Sequence, residues 1–485
     1  MGRNMACVVL CLAASLASGS AALVAKGTAE DVGVQLVQSR ATPPDWQDLW
    51  EAALDQLPWV IDLRRELHQH PELMYNEKWT SDRIASALEE LGVSFTRGWA
   101  VNTKHAELAA KGLKSGEGGT GIVAEIGTGQ PPCVLLRADI DALPIKESPG
   151  LVPFASENPG EMHACGHDAH TAMLLGAAAL LKDQEKQGAI NGTVRLIWQP
   201  AEEGGAGGKR MVEEGVISKF PPVQAAFGFH QWPFEPLGVV AARPGTMMAA
   251  AELFDITIHG KGGHAAMPHH VIDPIVTAAQ VVSGIQAITS RETSPLVPAV
   301  VSVTMLRAGD AYNVIPDGAT IAGTLRSLSK DQLERLRTRL SDVVHAVAGA
   351  HQCNASISWS PDAYPPTVND PSLLAWVQDI AAEASTEGKV KIIEPTMGGE
   401  DFSFLAQEVP SVFFALGQGE HGWTGIAQDG SEFGPLDTTV TVHNSKFVLN
   451  EGVLRRGMAL HAHLALQRLH HLLEEPAGGS QRAGQ

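Results

Sequence analysis

The densest group of chemically reactive side chains occupies residues 162–170, with the sequence MHACGHDAH. Cys165 and His167 are two positions apart, so both side chains can reach one metal ion from a loop, and a thiolate can bridge two ions. A solvated loop in which Asp168 caps the following helix is the alternative. Ligands elsewhere in the chain must decide between the two interpretations.

Further candidate ligands follow two predicted strands. Glu202 and Glu203 come after the apolar segment 194–198, and His230 comes directly after 225–229. α/β proteins gather functional groups at the carboxyl ends of such strands. One of two adjacent glutamates can bind a metal while the other accepts a proton from the water that the metal activates. The alternatives are a polar turn for the two glutamates and a hydrogen-bonded core residue for His230.

Two carboxylates end an earlier predicted strand at residues 134–139. Asp139 and Asp141 can hydrogen bond to a ligand imidazole or to the general base, although a loop cap is equally compatible with Asp141. The spacing of His443 does not by itself select this residue. No Gly-x-Ser-x-Gly motif follows a predicted strand, which argues against a serine hydrolase.

The predicted elements indicate two kinds of architecture. A helical pattern over residues 46–91 includes a helix that ends before Pro71, and then short apolar strands alternate with helices such as 171–182. This alternation predicts an α/β sheet with helices on both faces. Residues 98–119 are rich in glycine and lysine and predict a surface loop.

A different pattern begins near residue 249 and ends near residue 361. Its predicted order is β-α-β-β-α, which is typical of a small α+β insert with one open sheet. These elements are a strand at 253–259, a helix at 274–289, strands at 300–306 and 320–325, and a helix at 331–348.

Residues 1–22 have the pattern of a secretory signal, with Arg3, an apolar run over 5–16 and then small residues. An uncleaved anchor is the alternative. We expect removal of this segment and a place in the secretory pathway, whether the endoplasmic reticulum lumen, the vacuole or the extracellular space. The chain ends in Arg-Ala-Gly-Gln, which is not a retention tetrapeptide.

Composition excludes several classes of partner. The 485 residues are 44% hydrophobic and carry a formal net charge of −19, without a long basic run, so a globular protein that does not bind nucleic acid is expected. After removal of the signal we expect no membrane association. Cys133, Cys165 and Cys353 are an odd set that does not form a disulfide framework.

Taken together, these motifs resemble the amidohydrolase branch of the co-catalytic dinuclear metallopeptidases, which includes plant auxin-conjugate hydrolases, hippurate hydrolases and aminoacylase-like enzymes. The resemblance extends from Trp46 to Leu469. The motifs that occur in the order of that family are RELH at 65–68, PEL at 71–73, RADIDALP at 137–144, HACGHDAH at 163–170, QPAEE at 199–203, GKGGH at 260–264, NVIP at 313–316, GTLR at 323–326 and GEDF at 399–402.

The resemblance implies a complete dinuclear site. Two divalent ions, Mn²⁺ or Zn²⁺, would be bound by Cys165, His167, Glu203, His230 and His443. Glu202 would be the general base, and Asp141 would orient Glu202 or a nearby ligand.

The resemblance also implies a domain plan and a substrate class. The predicted fold class is α/β, with a mixed sheet flanked by helices in a catalytic domain (46–246 and 355–472). A smaller α+β lid and dimerisation domain at 247–354 interrupts it, and a disordered tail follows at 473–485. His264, Asn313 and Arg326 would contact a small N-acyl amino acid, with the guanidinium on its carboxylate.

Three further expectations follow from the same resemblance. The lid implies a homodimer. The stretch 101–118 is longer than the family's usual connection, which puts its conformation in question. A dipeptidase or carboxypeptidase with the same centre, and a non-catalytic protein that binds acyl amino acids, are the rival functions.

Overall fold

The computed structural model of the chain describes residues 21–24, 35–38, 42–110 and 115–474. Except for Ala21 and Ala22, the predicted signal segment lies outside the described residues, as does the predicted tail beyond Glu474. The α-helices are α1 Trp46–Gln69, α2 Lys78–Leu91, α3 His105–Ala110, α4 His167–Lys186, α5 Gly207–Glu213, α6 Pro274–Ala287, α7 Lys330–Ala350, α8 Pro371–Glu383, α9 Phe402–Glu408 and α10 Gly452–Glu474.

The strands vary in length from two to fourteen residues. They are β1 Ala21–Val24, β2 Gln35–Gln38, β3 Ser94–Val101, β4 Gly118–Gly127, β5 Cys133–Asp139, β6 Thr193–Gln199, β7 Val223–Pro236, β8 Val240–Ala242, β9 Gly245–Met248, β10 Ala250–His259, β11 Gly263–His264, β12 Ala299–Arg307, β13 Val314–Ile315, β14 Gly318–Ser327, β15 Asn354–Trp359, β16 Thr367–Asn369, β17 Lys391–Ile392, β18 Ser411–Gly419, β19 His421–Ile426 and β20 Glu432–Asp437.

An eight-stranded mixed sheet organises the larger part of the chain. Its strand order is β17-β8-β18-β7-β5-β6-β4-β3. The central strands β18, β7, β5 and β6 are parallel, whereas β4 and β3 join antiparallel at one edge. Strand β18 comes late in the sequence, yet it lies between β8 and β7 in the sheet. The predicted mixed α/β architecture is confirmed.

Successive side chains of the central strands point to opposite faces of this sheet, and apolar residues are present on both faces. On β5, Val134 and Leu136 belong to the larger core, while Leu135 belongs to the smaller core on the other face. Helices α1, α4 and α10 pack against one another over the larger core. Helices α5 and α9 contribute Met211 and Phe402 to the smaller core. Burial on both faces explains why β5 and β6 are apolar runs instead of alternating strands.

Helix α4 begins earlier than predicted, at His167 instead of residue 171. Gly166 precedes it with φ 85°, in the left-handed region that favours glycine. A Cβ at Gly166 would lie 2.7 Å from the side chain of Gln231. This glycine therefore allows the chain to turn from Cys165 into a helix whose first residue is His167. Helix α1 ends at Gln69, before Pro71, as predicted.

The insert contains a four-stranded antiparallel sheet with the order β12-β14-β10-β15, covered by α6 and α7. The first three strands of this sheet and the two helices follow the predicted β-α-β-β-α order as β10, α6, β12, β14 and α7, with the two-residue strands β11 and β13 between them. Strand β15 was not predicted, and its pairing with β10 extends the insert sheet to Trp359, beyond the predicted limit at residue 354. The sequence of this strand, NASISW, alternates polar and apolar residues in step with its exposure, so the pattern of a half-buried strand was present but only six residues long.

The prediction of a surface loop or insertion over residues 98–119 is wrong where this stretch forms β3, α3 and β4, whereas residues 102–104 and 115–117 are irregular as predicted. Strand β3 continues to Val101 because register shifts keep it paired with β4 as far as Gly118. The six-residue helix α3 follows, and residues 111–114 lie outside the described part of the chain. Among the helices that the structure describes, none combines the length and apolar character needed to cross a bilayer.

Candidate metal centre

The five predicted ligands converge at one end of the central strands. Cys165, His167 and His230 place their ligand atoms within 4.8 Å of one another, and so do Cys165, Glu203 and His443. Cys165 is common to both groups. Its Sγ lies 3.3 Å from His230 Nε2, and Glu203 Oε1 lies 3.0 Å from His443 Nε2. The arrangement is that of two adjacent donor sets that share a sulfur atom.

The donor chemistry fits divalent ions. Sulfur, imidazole and carboxylate donors together suit a borderline metal such as Zn²⁺. Within the described residues, neither ring nitrogen of the buried His167 has a hydrogen-bond partner, although Asp141 and Asp139 lie 3.4 and 3.6 Å away. A buried polar atom without a partner is costly, and coordination of a cation would satisfy it.

The orientation of His230 also suits a ligand. Its Nδ1 donates a hydrogen bond to the carbonyl oxygen of Gln231 at 2.6 Å. The proton is thereby held on Nδ1, so Nε2, the atom that faces Cys165, keeps its lone pair. Burial and the neighbouring His170 keep the pKa of His230 well below its usual value. The ring is therefore neutral, as a metal ligand must be.

The centre holds more buried carboxylates than cationic side chains. Glu202 places a ligand atom within 4.8 Å of both Glu400 and Asp401. Burial, Glu400 and Glu203 raise the pKa of Glu202 well above its usual value. Arg137 makes ion pairs with Glu400 and Asp401, each at 2.9 Å, but it does not contact Glu202 at that range. Added positive charge beside Glu202 would favour its ionised form.

Asp141 acts on the backbone of the two glutamates. Its Oδ1 and Oδ2 accept hydrogen bonds from the N–H groups of Glu202 and Glu203, each at 3.0 Å. Because Oδ1 also lies 3.4 Å from His167 Nδ1, one carboxylate positions the loop and faces a candidate ligand. The orienting role predicted for Asp141 stays a prediction, and these two hydrogen bonds are the contacts through which it would act.

Residues 201–206, hereafter the Glu202 loop, adopt an unusual backbone. Ala201 and Ala206 both have φ 56°, in the left-handed region that costs a non-glycine residue about 1 kcal/mol or more. The buried carboxylate of Glu77 accepts the N–H of Ala201 at 3.0 Å, and the Tyr75 hydroxyl donates to Gly205 O at 2.5 Å. Buried side chains thus hold the loop in this conformation.

A cavity of 450 Å³ opens beside the centre. Arg326 lines it together with the two glutamates of the loop, and its Nη1 donates to Met397 O at 3.0 Å. His264 and Asn313 are exposed and do not line this cavity. Of the three residues predicted to contact substrate, the structure brings only Arg326 to the cavity of this chain.

The sequence pattern of peptidase family M20/M25/M40 matches residues 135–467. The chain belongs to this family. The match includes every candidate metal ligand named above, and it confirms the resemblance and the predicted enzyme class.

Relatives of this M20 chain include hydrolases and a metal-binding peptidase. It is 39% identical over 420 residues to IAA-amino acid hydrolase ILR1-like 4 of Arabidopsis thaliana, covering 86% of this chain and 87% of the relative. This chain is 39% identical over 368 residues to N-acetyl-L-cysteine deacetylase of Bacillus subtilis, and the match covers 75% of this chain and 82% of the relative. A crystal structure of the B. subtilis YxeP protein, described as a dinuclear metal binding peptidase, has a TM-score of 0.65 and 32% identity, covering 87% of this chain and 99% of that chain.

Several residues at this M20 centre were not assigned roles from the sequence. Glu400 belongs to a motif that was recognised, but only its position beside Glu202 suggests a task. Trp232 and Phe234 line the cavity because β7 continues past His230. Tyr364 also lines the cavity, and nothing in its local sequence marks it.

Proposed function

We propose that this chain is a metal-dependent amidohydrolase that cleaves the amide bond of N-acyl amino acids. The observation that carries the proposal is the convergence of five candidate metal donors, four of which line the same cavity as Glu202 and Arg326. We propose Cys165, His167, Glu203, His230 and His443 as the ligands of two divalent ions, Mn²⁺ or Zn²⁺. The names of two relatives, an IAA-amino acid hydrolase and an N-acetyl-L-cysteine deacetylase, support this substrate class.

Different side chains of the cavity would carry out proton transfer and substrate binding. When bound, the ions would polarise the amide carbonyl and lower the pKa of water from about 15.7 to near 7. Glu202 accepts a proton as water attacks the carbonyl carbon, and it returns this proton to the nitrogen of the leaving amino acid. The guanidinium of Arg326 binds the carboxylate of the substrate through two hydrogen bonds.

A panel of substrates tests the proposal. Purified protein reconstituted with Mn²⁺ or Zn²⁺ is incubated with acetyl, benzoyl and indole-acetyl amino acids and, in parallel, with dipeptides, and free amino acid is measured. Release from the acyl conjugates supports the proposal. Release from dipeptides alone indicates the peptidase alternative, and ligand binding without turnover indicates a binding protein.

An apolar wall stands next to the metal centre and favours a bulky acyl group. The ring centroid of Trp232 lies 6.0 Å from that of His230 and 6.1 Å from that of Phe234. Leu253 and Met248 add apolar surface to the same cavity. An aromatic acyl group can bury its faces here, whereas an acetyl group is too small to cover the wall.

Replacing Trp232 with alanine should therefore change the acyl preference. We expect kcat/KM for benzoyl or indole-acetyl conjugates to fall about 5–30-fold, which corresponds to about 1–2 kcal/mol of lost apolar contact. The acetyl conjugate of the same amino acid is the control, and its kcat/KM should change less than about threefold. Equal losses for both substrates would show that Trp232 does not contact the acyl group.

We also propose that two copies of the chain associate through the insert. Strand β12 lies at the edge of the insert sheet, and Met305 and Leu306 on it are 47% and 54% exposed. An apolar edge strand is a template for pairing with another copy. Light scattering should give a dimer for the wild type and a monomer for Leu306→Glu. Ile392→Glu, at an exposed site outside the insert, should remain dimeric, and a monomeric wild type would refute the proposal.

A further inference from the structure

Tyr364 contacts the Glu202 loop through its hydroxyl group. The hydroxyl donates a hydrogen bond to Glu202 O at 2.6 Å and accepts the N–H groups of Gly204 at 3.1 Å and Ala206 at 3.0 Å. A hydroxyl offers one donor and two acceptor positions, so its capacity is fully used. Tyr364 is 8% exposed, and its ring packs edge-on against Phe404. Three backbone groups of one loop therefore depend on a single buried oxygen.

The same residue is also tied to the insert through its backbone. Tyr364 and Ala251 exchange two hydrogen bonds, at 2.9 and 3.0 Å. Ala251 lies near the start of β10 and is paired on its other side with Arg326 of β14. Arg326 is thus the register partner of Ala251, and Ala251 is hydrogen bonded to Tyr364, whose side chain holds the Glu202 loop.

We propose that Tyr364 is a positioning residue that couples the substrate-carboxylate site at Arg326 to the Glu202 loop. This proposal rests on the proposed function, in which Arg326 binds the substrate carboxylate and Glu202 is the general base. The loop has left-handed backbone at Ala201 and Ala206, and it needs outside contacts to keep this conformation. Tyr364 supplies three of these contacts from the segment that joins the insert to the catalytic sheet. A displaced loop moves Glu202 away from the reacting carbonyl, and a misplacement of about 1 Å is enough to cost roughly 10²-fold in rate.

The test is Tyr364→Phe, which keeps the ring and removes the hydroxyl. We expect kcat for the best N-acyl amino acid to fall roughly 10–100-fold with KM changed less than about threefold and with the metal content unchanged. Tyr75→Phe removes one contact to the same loop and should have a smaller effect on kcat. Tyr312→Phe, at a fully exposed tyrosine, is the matched control with wild-type kinetics. A Tyr364→Phe enzyme with wild-type kcat would overturn the proposal.

A second readout does not depend on turnover. Hydrogen exchange of the metal-loaded protein, followed on a peptide covering residues 200–208, should be at least about tenfold faster in Tyr364→Phe, because the buried N–H of Ala206 and the part-buried N–H of Gly204 have lost their acceptor. Exchange in α4 should stay at the wild-type rate. Unchanged exchange at 200–208 would overturn the proposal even if no substrate in the panel is cleaved. If exchange is faster in Tyr364→Phe but the wild type cleaves no substrate, the loop does depend on Tyr364 for its structure. The proposed function then fails on its own.

Discussion

Glu202→Gln is expected to lower kcat about 10²–10⁴-fold while the two ions stay bound. Glutamine has nearly the same shape, but its amide cannot accept the proton from the attacking water. Glu202 also lies within 4.8 Å of His167 and Glu203, but it is not one of the five proposed ligands, so metal binding should persist. Steady-state kinetics on an N-acyl amino acid, with metal content measured on the same sample by mass spectrometry, checks both parts.

The control for this substitution is Glu394→Gln, which removes one carboxylate whose side chain is 99% exposed. It should have wild-type kcat. In the metal-free protein the stability of Glu202→Gln relative to the wild type should increase as the pH rises, because burial and the neighbouring carboxylates that raise the pKa of Glu202 disfavour only its ionised form. Near wild-type activity in Glu202→Gln would remove this residue from the mechanism.

Cys165→Ala should have the second largest effect, because Cys165 is common to both of the proposed donor groups. Loss of a hydrogen-bond partner of a metal ligand typically costs 10–100-fold in metal affinity, so loss of a direct ligand should cost more than about 100-fold. We expect fewer than two ions per chain after dialysis, and activity that recovers only partly at high metal concentration. Isothermal titration with Zn²⁺ or Mn²⁺ measures the affinities.

Cys353→Ala is the matched control, since Cys353 is also a buried, free cysteine and lies beside Thr277 in the insert. Its metal content should equal that of the wild type. If Cys165→Ala binds two ions with unchanged affinity, the shared-sulfur arrangement is wrong and the centre must be held by the imidazoles and carboxylates alone.

The carboxylates that directly follow a strand were predictable from the sequence. The apolar run before Asp139 marks β5, and the adjacent Glu202 and Glu203 follow a second run that forms β6. These strands are parallel neighbours, so their carboxyl ends meet, and the carboxylates meet with them. Pattern and chemistry agree here because each carboxylate is near the end of its own strand.

Contacts between distant segments were harder to predict. Strand β7 was expected to stop before His230, but its pairing with β18 carries it to Pro236 and places Trp232 in the cavity. The local sequence does not reveal that pairing, since the partner strand is far along the chain. His443 was selected only by the resemblance, and Tyr364 was not selected at all, since a single tyrosine in an irregular segment gives no periodic signal.

The position of β18 inside the main sheet has a consequence for how the protein is made. The strands from β3 to β8 leave the ribosome first, then the whole insert, and only afterwards the strand that separates β8 from β7. Until then β7 has an open edge, and open edges of apolar strands favour aggregation. The nascent chain therefore needs protection at β7 while the insert is being translated.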